Sequence, residues 1–198
     1  MTRLILWRHG RTEWNAIGRI QGQSDVALDE TGLIQAAQAA PRIAALKPDV
    51  IVSSDLRRTA DTAAAAAVVT GLPIEYDARL RERDFGPWQG LNRDEIQARY
   101  PADFARWWTT EPFEDQRIET VDDMMKRVGD ALREIAARLG DNGTALVVTH
   151  GGAAKAGTAG LLGWPTALVE SLSGLGNCRY SDLRHTPQRG WQLRAHNL

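Results

Sequence analysis

Three short apolar runs constrain this chain more than anything else in it. Leu4–Trp7, Val50–Val52 and Ala145–Val148 are aliphatic or β-branched, too short for helices, and bounded by turn or cap residues. Such runs read as strands buried on both faces of a parallel sheet. Helical patterns fill the intervals. Thr31–Leu46 is rich in Ala, Gln and Leu, with Pro41 expected to kink or split it. Asp55–Thr70 carries the alanine run Ala63–Ala67 and stops at Gly71, a residue suited to the left-handed turn that ends a helix. Thr120–Leu139 opens with Thr120 and Asp123 in the spacing of a capping box and closes at Gly140. Strands alternating with helices predict an α/β fold: one three-layer domain over residues 1–198, with a mostly parallel central sheet and helices on both faces. The stretch Leu91–Glu119 breaks the alternation. Phe104, Trp107, Trp108 and Phe113, punctuated by Pro101 and Pro112, predict a helical lid insertion over one end of the sheet. The tail from Asn177 to Leu198 is expected to add one or two edge strands around the turn Pro187–Gly190.

Charge and cysteine usage exclude several classes of partner. Lys and Arg number 24 against 25 Asp and Glu, a net charge of −1 over 198 residues. That balance gives no global attraction to nucleic acid or anionic membrane. No apolar run approaches the length of a membrane span. The single cysteine, Cys178, permits no intrachain disulfide and fits a reducing, cytoplasmic setting.

The chemistry gathers at the predicted strand ends. The first strand runs into Arg8-His9-Gly10-Arg11-Thr12, the third into Thr149-His150-Gly151-Gly152, and the second into Ser53-Ser54-Asp55-Leu56-Arg57-Arg58. In open α/β sheets ligands bind at the carboxyl edge, so if these strands are neighbours, His9, His150, Arg8 and Arg58 meet in one crevice. Two imidazoles alone could suggest a transition metal. Two guanidinium groups beside them would repel a divalent cation, and no cysteine or carboxylate completes a ligand spacing. The same four side chains make a strong anion site, because guanidinium forks match phosphate oxygens. The glycines after each histidine are expected to let backbone N–H groups approach the anion. Neither a metal nor an organic cofactor is implied.

Four blocks in order carry a family resemblance: RHGRTEWN at Arg8–Asn15, SSDLRRTADTA at Ser53–Ala63, LRERDFGPWQG at Leu80–Gly90 and VVTHGG at Val147–Gly152. Together they resemble the histidine phosphatase superfamily, the family of phosphoglycerate mutases and their phosphatase relatives. The resemblance implies a phosphoryl group moved to His9 as nucleophile, with Arg8, Arg58 and His150 holding its oxygens and Glu82 as proton donor. Asn15, Gln21 and Gly151 match positions that help hold the phosphoryl group or substrate. Chemistry asks for the same division of labour: the transition state spreads negative charge over the phosphoryl oxygens, so positioned cations dominate. His9 must attack as a neutral ring, its second nitrogen's proton held by an acceptor such as a backbone carbonyl. Arg57 rivals Arg58, and the motif selects Arg58. Arg11 reads as a salt-bridge residue, and His185 and His196 as solvated residues of a polar tail.

Many phosphatases of this family carry Gly-Glu-Ser before the last long helix. Here Ile118-Glu119-Thr120 stands there, which implies a reshaped pocket wall. Gly176-Asn177-Cys178 and the WQGL run resemble actinobacterial glucosyl-3-phosphoglycerate phosphatases. The reading is a metal-independent phosphomonoesterase acting through a phosphohistidine on a small phosphate monoester, glucosyl-3-phosphoglycerate or another sugar or glycerate phosphate. Phosphoglycerate mutase, phosphoprotein phosphatase and a non-catalytic phosphate-binding module are the alternatives. Relatives of this kind are often homodimers, though no stretch of this chain demands it.

Overall fold

The computed structural model describes residues 1–107, 113–115 and 117–198. Trp108 and Pro112 lie outside the described residues. The elements run β1 (Thr2–Arg8), α1 (Glu13–Ala16), α2 (Glu30–Ala44), β2 (Val50–Ser53), α3 (Arg57–Thr70), β3 (Ile74–Tyr76), α4 (Arg93–Arg99), α5 (Pro101–Arg106), α6 (Val121–Leu139), β4 (Thr144–Thr149), α7 (Gly151–Leu162), β5 (Tyr180–Thr186) and β6 (Gly190–Ala195).

One mixed sheet holds the strands in the order β3-β2-β4-β1-β5-β6. The pairs β3–β2, β2–β4 and β4–β1 are parallel, and β1–β5 and β5–β6 are antiparallel. Successive strand side chains point to opposite faces, and here both faces are covered. Leu4, Leu6, Ala145 and Val147 face one layer with Val128, Leu132 and Ile135 of α6 and Ala153 and Ala156 of α7. Ile5, Trp7, Leu146 and Val148 face the other, with Ala36 and Ile43 of α2 and Ala63 and Ala66 of α3. A smaller apolar cluster of Trp88, Ile96, Phe104 and Ile118 seats α4 and α5.

The three predicted strands are present, each extended by a residue or more. Thr120 caps α6 by accepting from Asp123 N at 3.1 Å, and α3 ends at Gly71 with φ 73°. Three expectations need correction. Pro41 does not split its helix, because α2 runs unbroken from Glu30 to Ala44. Pro41 and Ala37, whose carbonyl loses its partner, are both exposed, so water can satisfy that carbonyl. The tail gives two strands, but only β6 is an edge. β5 lies inside the sheet against β1, its first residues buried. The opposite edge is β3, a three-residue strand that lacks an apolar run and leaves no mark in the sequence. His196 is not merely solvated: its two nitrogens lie 2.8 Å from Ser181 Oγ and 2.8 Å from the Ser173 carbonyl.

Candidate active site

The parallel register carries the chemistry to one edge. Arg8 stands opposite Thr149, and His9 N continues the ladder to the Thr149 carbonyl at 3.1 Å. His9 and His150 therefore leave adjacent strands side by side, with ring centroids 5.2 Å apart and the rings edge to face. Beside β4 on its other flank, β2 ends at Ser53 with Ser54 following it, and from the second residue of α3 the Arg58 side chain reaches back to His150. Arg58 is 1% exposed, whereas Arg57 is exposed.

Hydrogen bonds set the state of each ring. His9 Nδ1 lies 2.7 Å from the Gly10 carbonyl, so that nitrogen carries the proton and Nε2 holds the lone pair. Arg58 Nε–H donates to His150 Nδ1 at 3.2 Å. His150 Nε2 therefore carries the proton, which it can donate to Ser54 Oγ at 2.9 Å. Burial and the positive charges of Arg58 and Arg8 hold the His9 pKa well below the usual histidine value, and burial and Arg58 do the same to His150. Both rings are neutral at neutral pH.

The arginines are held without being saturated. Arg58 donates to the carbonyls of Ser24 and Gly22, each at 2.7 Å. With Nε on His150, one proton on each terminal nitrogen remains. Burial lowers its pKa to about 10, which still leaves it charged. Arg8 Nη1 donates to the Leu175 carbonyl at 2.5 Å. Its Nε is buried without a hydrogen-bond partner, and so is Gln21 Oε1. Buried polar groups in native proteins are nearly always paired, so a lone buried donor on a cation marks a place for an anion.

Glu82 reaches the crevice from the loop after a short 3₁₀ turn at Ala78–Leu80. It forms no ion pair with its neighbours. Arg81 pairs with Asp55 at 2.5 Å, and Arg83 lies over the rings of Phe85 and Phe113. Instead, its carboxylate accepts from Gly152 N and Ala153 N, both at 2.9 Å. The N-cap of α7 is His150, which offers no side-chain cap, so Glu82 caps that helix from outside. The stretch flagged as reshaped turns out to brace this loop. Glu119 pairs with Arg127 at 2.7 Å, and Arg127 donates to the carbonyls of Arg79 and Arg81 at 2.7 and 2.9 Å.

The remaining predicted residues fall differently. The Asn15 side-chain oxygen accepts from Thr12 N at 3.2 Å and so closes a capping box on α1. Asn177 Nδ2 donates to the His9 carbonyl at 3.0 Å and to Asn15 Oδ1 at 3.3 Å. Asn177 thus ties β1's end to α1, a link whose only sequence trace is the Gly-Asn-Cys run. Gln21 is buried beside Gly22, whose carbonyl holds Arg58. Arg11 pairs with Asp29 at 2.8 Å.

The expected role of Gly10 needs correction. Its N–H is spent on Thr62 Oγ1 at 3.1 Å, and a Cβ there would meet the Gly32 carbonyl at 2.5 Å. Close packing of backbone on α2 requires that glycine. At the second histidine the tight approach falls on Gly152, where a Cβ would sit 2.5 Å from Glu82 Oε1. At Gly151 the nearest atom would be Arg8 Nε, at an ordinary 3.5 Å.

A cavity of about 170 Å³ opens beside Glu82 and Gly152, walled by Arg83, Phe85, Trp107 and Lys155 among others. A slightly larger one, about 210 Å³, lies at the β3 edge, lined by Asp77, Arg79, Glu134 and Arg138 and by no motif residue. Arg79 pairs there with Asp77 and Glu134, and Arg138 with Glu75, so the cavity beside Glu82 is the one that belongs to the chemistry. Among the described residues, no cluster of three or more His, Cys, Asp or Glu could hold a metal ion, and no helix is long and apolar enough to cross a membrane.

Comparison with known proteins agrees with this arrangement. The model of the histidine phosphatase superfamily (branch 1) matches residues 4–198, and the chain belongs to that family. It is 38% identical over 195 residues to a glucosyl-3-phosphoglycerate phosphatase of Mycolicibacterium vanbaalenii, covering 95% of this chain and 87% of that one. It is 37% identical over 191 residues to phosphoserine phosphatase 1 of Hydrogenobacter thermophilus (96% and 89% covered). It is 36% identical over 188 residues to a probable phosphoglycerate mutase, GpmB, of Erwinia tasmaniensis (93% and 86% covered). Among solved structures, mycobacterial glucosyl-3-phosphoglycerate phosphatase Rv2419c in complex with VO3 superposes with a TM-score of 0.90 at 36% identity, covering 98% of each chain. With these phosphatase relatives, the chain is a phosphoric monoester hydrolase of the histidine phosphatase type.

Proposed function

We propose that this enzyme hydrolyses a small phosphate monoester in two displacements at His9, without a metal ion, in the cytoplasm. One observation carries the reading: His9 presents an unprotonated Nε2, fixed by the 2.7 Å contact of Nδ1 with Gly10, beside the buried Arg58 and the half-buried Arg8. In the first step the Nε2 lone pair attacks phosphorus and the P–O ester bond breaks. Protonated Glu82 gives its proton to the leaving oxygen. In the second step the Glu82 carboxylate takes a proton from water, the water oxygen attacks phosphorus, and the P–N bond breaks to release inorganic phosphate and neutral His9. Arg8 and Arg58 hold the equatorial oxygens throughout, with His150 beside them. To act as a donor, Glu82 must leave at least one of its α7 amide bonds when substrate arrives. Gln21, Asn15 and the Gly151 N–H complete the phosphoryl and substrate contacts.

The relatives that act on glucosyl-3-phosphoglycerate and on phosphoserine support a phosphorylated metabolite as substrate, with glucosyl-3-phosphoglycerate first among candidates. The single cysteine, Cys178, is buried and unpaired, which supports a reducing setting. The test is phosphate release in EDTA from glucosyl-3-phosphoglycerate, phosphoserine, the phosphoglycerates, sugar phosphates and p-nitrophenyl phosphate. Rapid release from one of them is expected. The Erwinia relative favours a second reading, a mutase. Fast exchange of 2- and 3-phosphoglycerate primed by 2,3-bisphosphoglycerate, with little phosphate freed, would replace the hydrolase with it. Loss of activity in EDTA would overturn the metal-free mechanism.

A further inference from the structure

The cavity beside Glu82 contains two cations that the phosphoryl chemistry leaves unused. Arg83 is buried. Its Nε donates to the Glu119 carbonyl at 2.7 Å, and its guanidinium lies 5.2 Å from the Phe85 ring centroid and 5.0 Å from that of Phe113. Its terminal nitrogens carry no hydrogen bond to a described residue. Lys155 stands one turn along α7 from Gly152, on the face that Glu82 caps. Three residues of helix set the two about 4.5 Å apart along the axis. The Lys155 side chain is only 14% exposed, and its ammonium bonds Glu170 Oε2 at 2.8 Å. Glu170 is the unusual partner, since its side chain is 80% exposed. A carboxylate so open to water gains little from such a pair and loses little on leaving it.

We infer that Lys155 and Arg83 read a carboxylate on the leaving group, and that Glu170 occupies the carboxylate's place until substrate arrives. The substrate class is then a phosphate monoester of a hydroxy acid, its carboxylate a few bonds from the ester oxygen. The exchange costs little because Glu170 returns to solvent that already bathes it. The incoming carboxylate gains a mostly buried ammonium and guanidinium, where charge-assisted bonds are strong. This inference rests on the phosphatase reading above for the position of the ester oxygen.

The test compares 3-phosphoglycerate with glycerol 3-phosphate, which keeps the three-carbon skeleton and lacks the carboxylate. Lys155→Gln should lower kcat/KM for 3-phosphoglycerate by about 10- to 100-fold, mostly through KM. Glycerol 3-phosphate and p-nitrophenyl phosphate should change by less than about two-fold, which also shows that the variant is folded. Glu170→Gln should lower KM for 3-phosphoglycerate a few-fold and leave the other two unmoved, because it removes the competing carboxylate. Equal losses on all three esters, or no rise in affinity from Glu170→Gln, would overturn the inference. A binding arm separates it from the parent reading. Calorimetry on the His9→Ala protein should show 3-phosphoglycerate binding at least about ten-fold tighter than glycerol 3-phosphate, and the absence of that preference sinks the proposal whatever the turnover. Preference retained by a wild-type enzyme that releases no phosphate would instead overturn the hydrolase and leave the carboxylate site standing.

Discussion

The two sides of the crevice are built on opposite plans. On the phosphoryl side His9, His150 and Arg58 are all but inaccessible to water, and each is tied to backbone or to another site residue within 3.2 Å. These groups issue from three parallel strands and the helix after one of them. On the leaving-group side Glu82 is half-buried on a loop, Lys155 is held by an exposed glutamate, and the rings of Phe85 and Trp107 form part of the wall. The group transferred never varies, so rigid elements can meet it with preorganised charge at no cost during reaction. The alcohol that leaves differs between relatives, and loops or displaceable pairs can follow it. Selection for a new substrate can then act on one side without disturbing the other.

The hardest attempt to break this division is His9→Ala. If the rigid side does the phosphoryl chemistry, turnover of every ester should fall by at least about 10⁴-fold together. Stability should change by no more than about 2 kcal/mol, because His9 sits at a strand end and leaves the sheet core intact. Phosphate release above about 1% of wild type would remove His9 from the nucleophile role.

Glu82→Gln probes the boundary between the two sides. A general acid matters only to a leaving group that needs its proton. Sugar or glycerate phosphates should lose about 10²- to 10³-fold in kcat, and p-nitrophenyl phosphate about ten-fold or less. The amide oxygen of Gln can still accept from an α7 amide, so the helix cap survives in part. Parallel losses on both kinds of ester would assign Glu82 to structure and not to proton transfer.

The buried side also predicts how pH acts on stability. His9 and His150 have pKa values depressed in the fold, so below the ordinary histidine pKa, about 6.5, the unfolded chain binds protons that the native one refuses. Stability should therefore fall as pH drops below that value, by up to about 1.4 kcal/mol per pH unit for each histidine. Urea melts between about pH 7 and 5.5, in buffer free of phosphate, stay above the carboxylate range and isolate the effect. A flat profile would mean that the native rings take up protons as readily as those of the unfolded chain. Saturating vanadate should reduce the slope, because an anion beside the two rings favours their charged forms.

The same contrast explains what could be read from the chain. A strand end delivers consecutive residues to one sheet edge, so Arg8-His9, Thr149-His150 and Ser53–Arg58 appear as compact motifs, and their pattern in the sequence alone points to one crevice. The leaving-group wall draws on residues 82–85, 107, 121–124, 152–155 and 169–170. No local pattern links those segments, so Lys155 and Glu170 carry no signal in sequence. Edge strand β3 escaped for the same kind of reason: with one partner strand and mostly exposed side chains it needs no apolar run. Pro41 misled because its effect depends on whether water can reach the Ala37 carbonyl, a property of the packed helix and not of the tripeptide.

The finest division between the two sides runs between neighbouring glycines, and it gives the smallest predicted effects. Gly151 lies toward the phosphoryl side, where an added methyl would rest on Arg8 at an ordinary contact distance and the backbone N–H would be unchanged. Gly151→Ala should keep activity within about two-fold and stabilise the fold by about 0.4–1 kcal/mol, through lower entropy of the unfolded chain. Gly152 lies toward the leaving-group side, where the methyl would overlap Glu82 Oε1. Gly152→Ala should push the carboxylate off the α7 N-terminus. It should cost about ten-fold in kcat on sugar or glycerate phosphates, with p-nitrophenyl phosphate little affected, a weaker copy of Glu82→Gln. If the two alanine variants behave alike, Glu82 is not positioned by the α7 amides, and the boundary between rigid cradle and adaptable wall has to be drawn elsewhere.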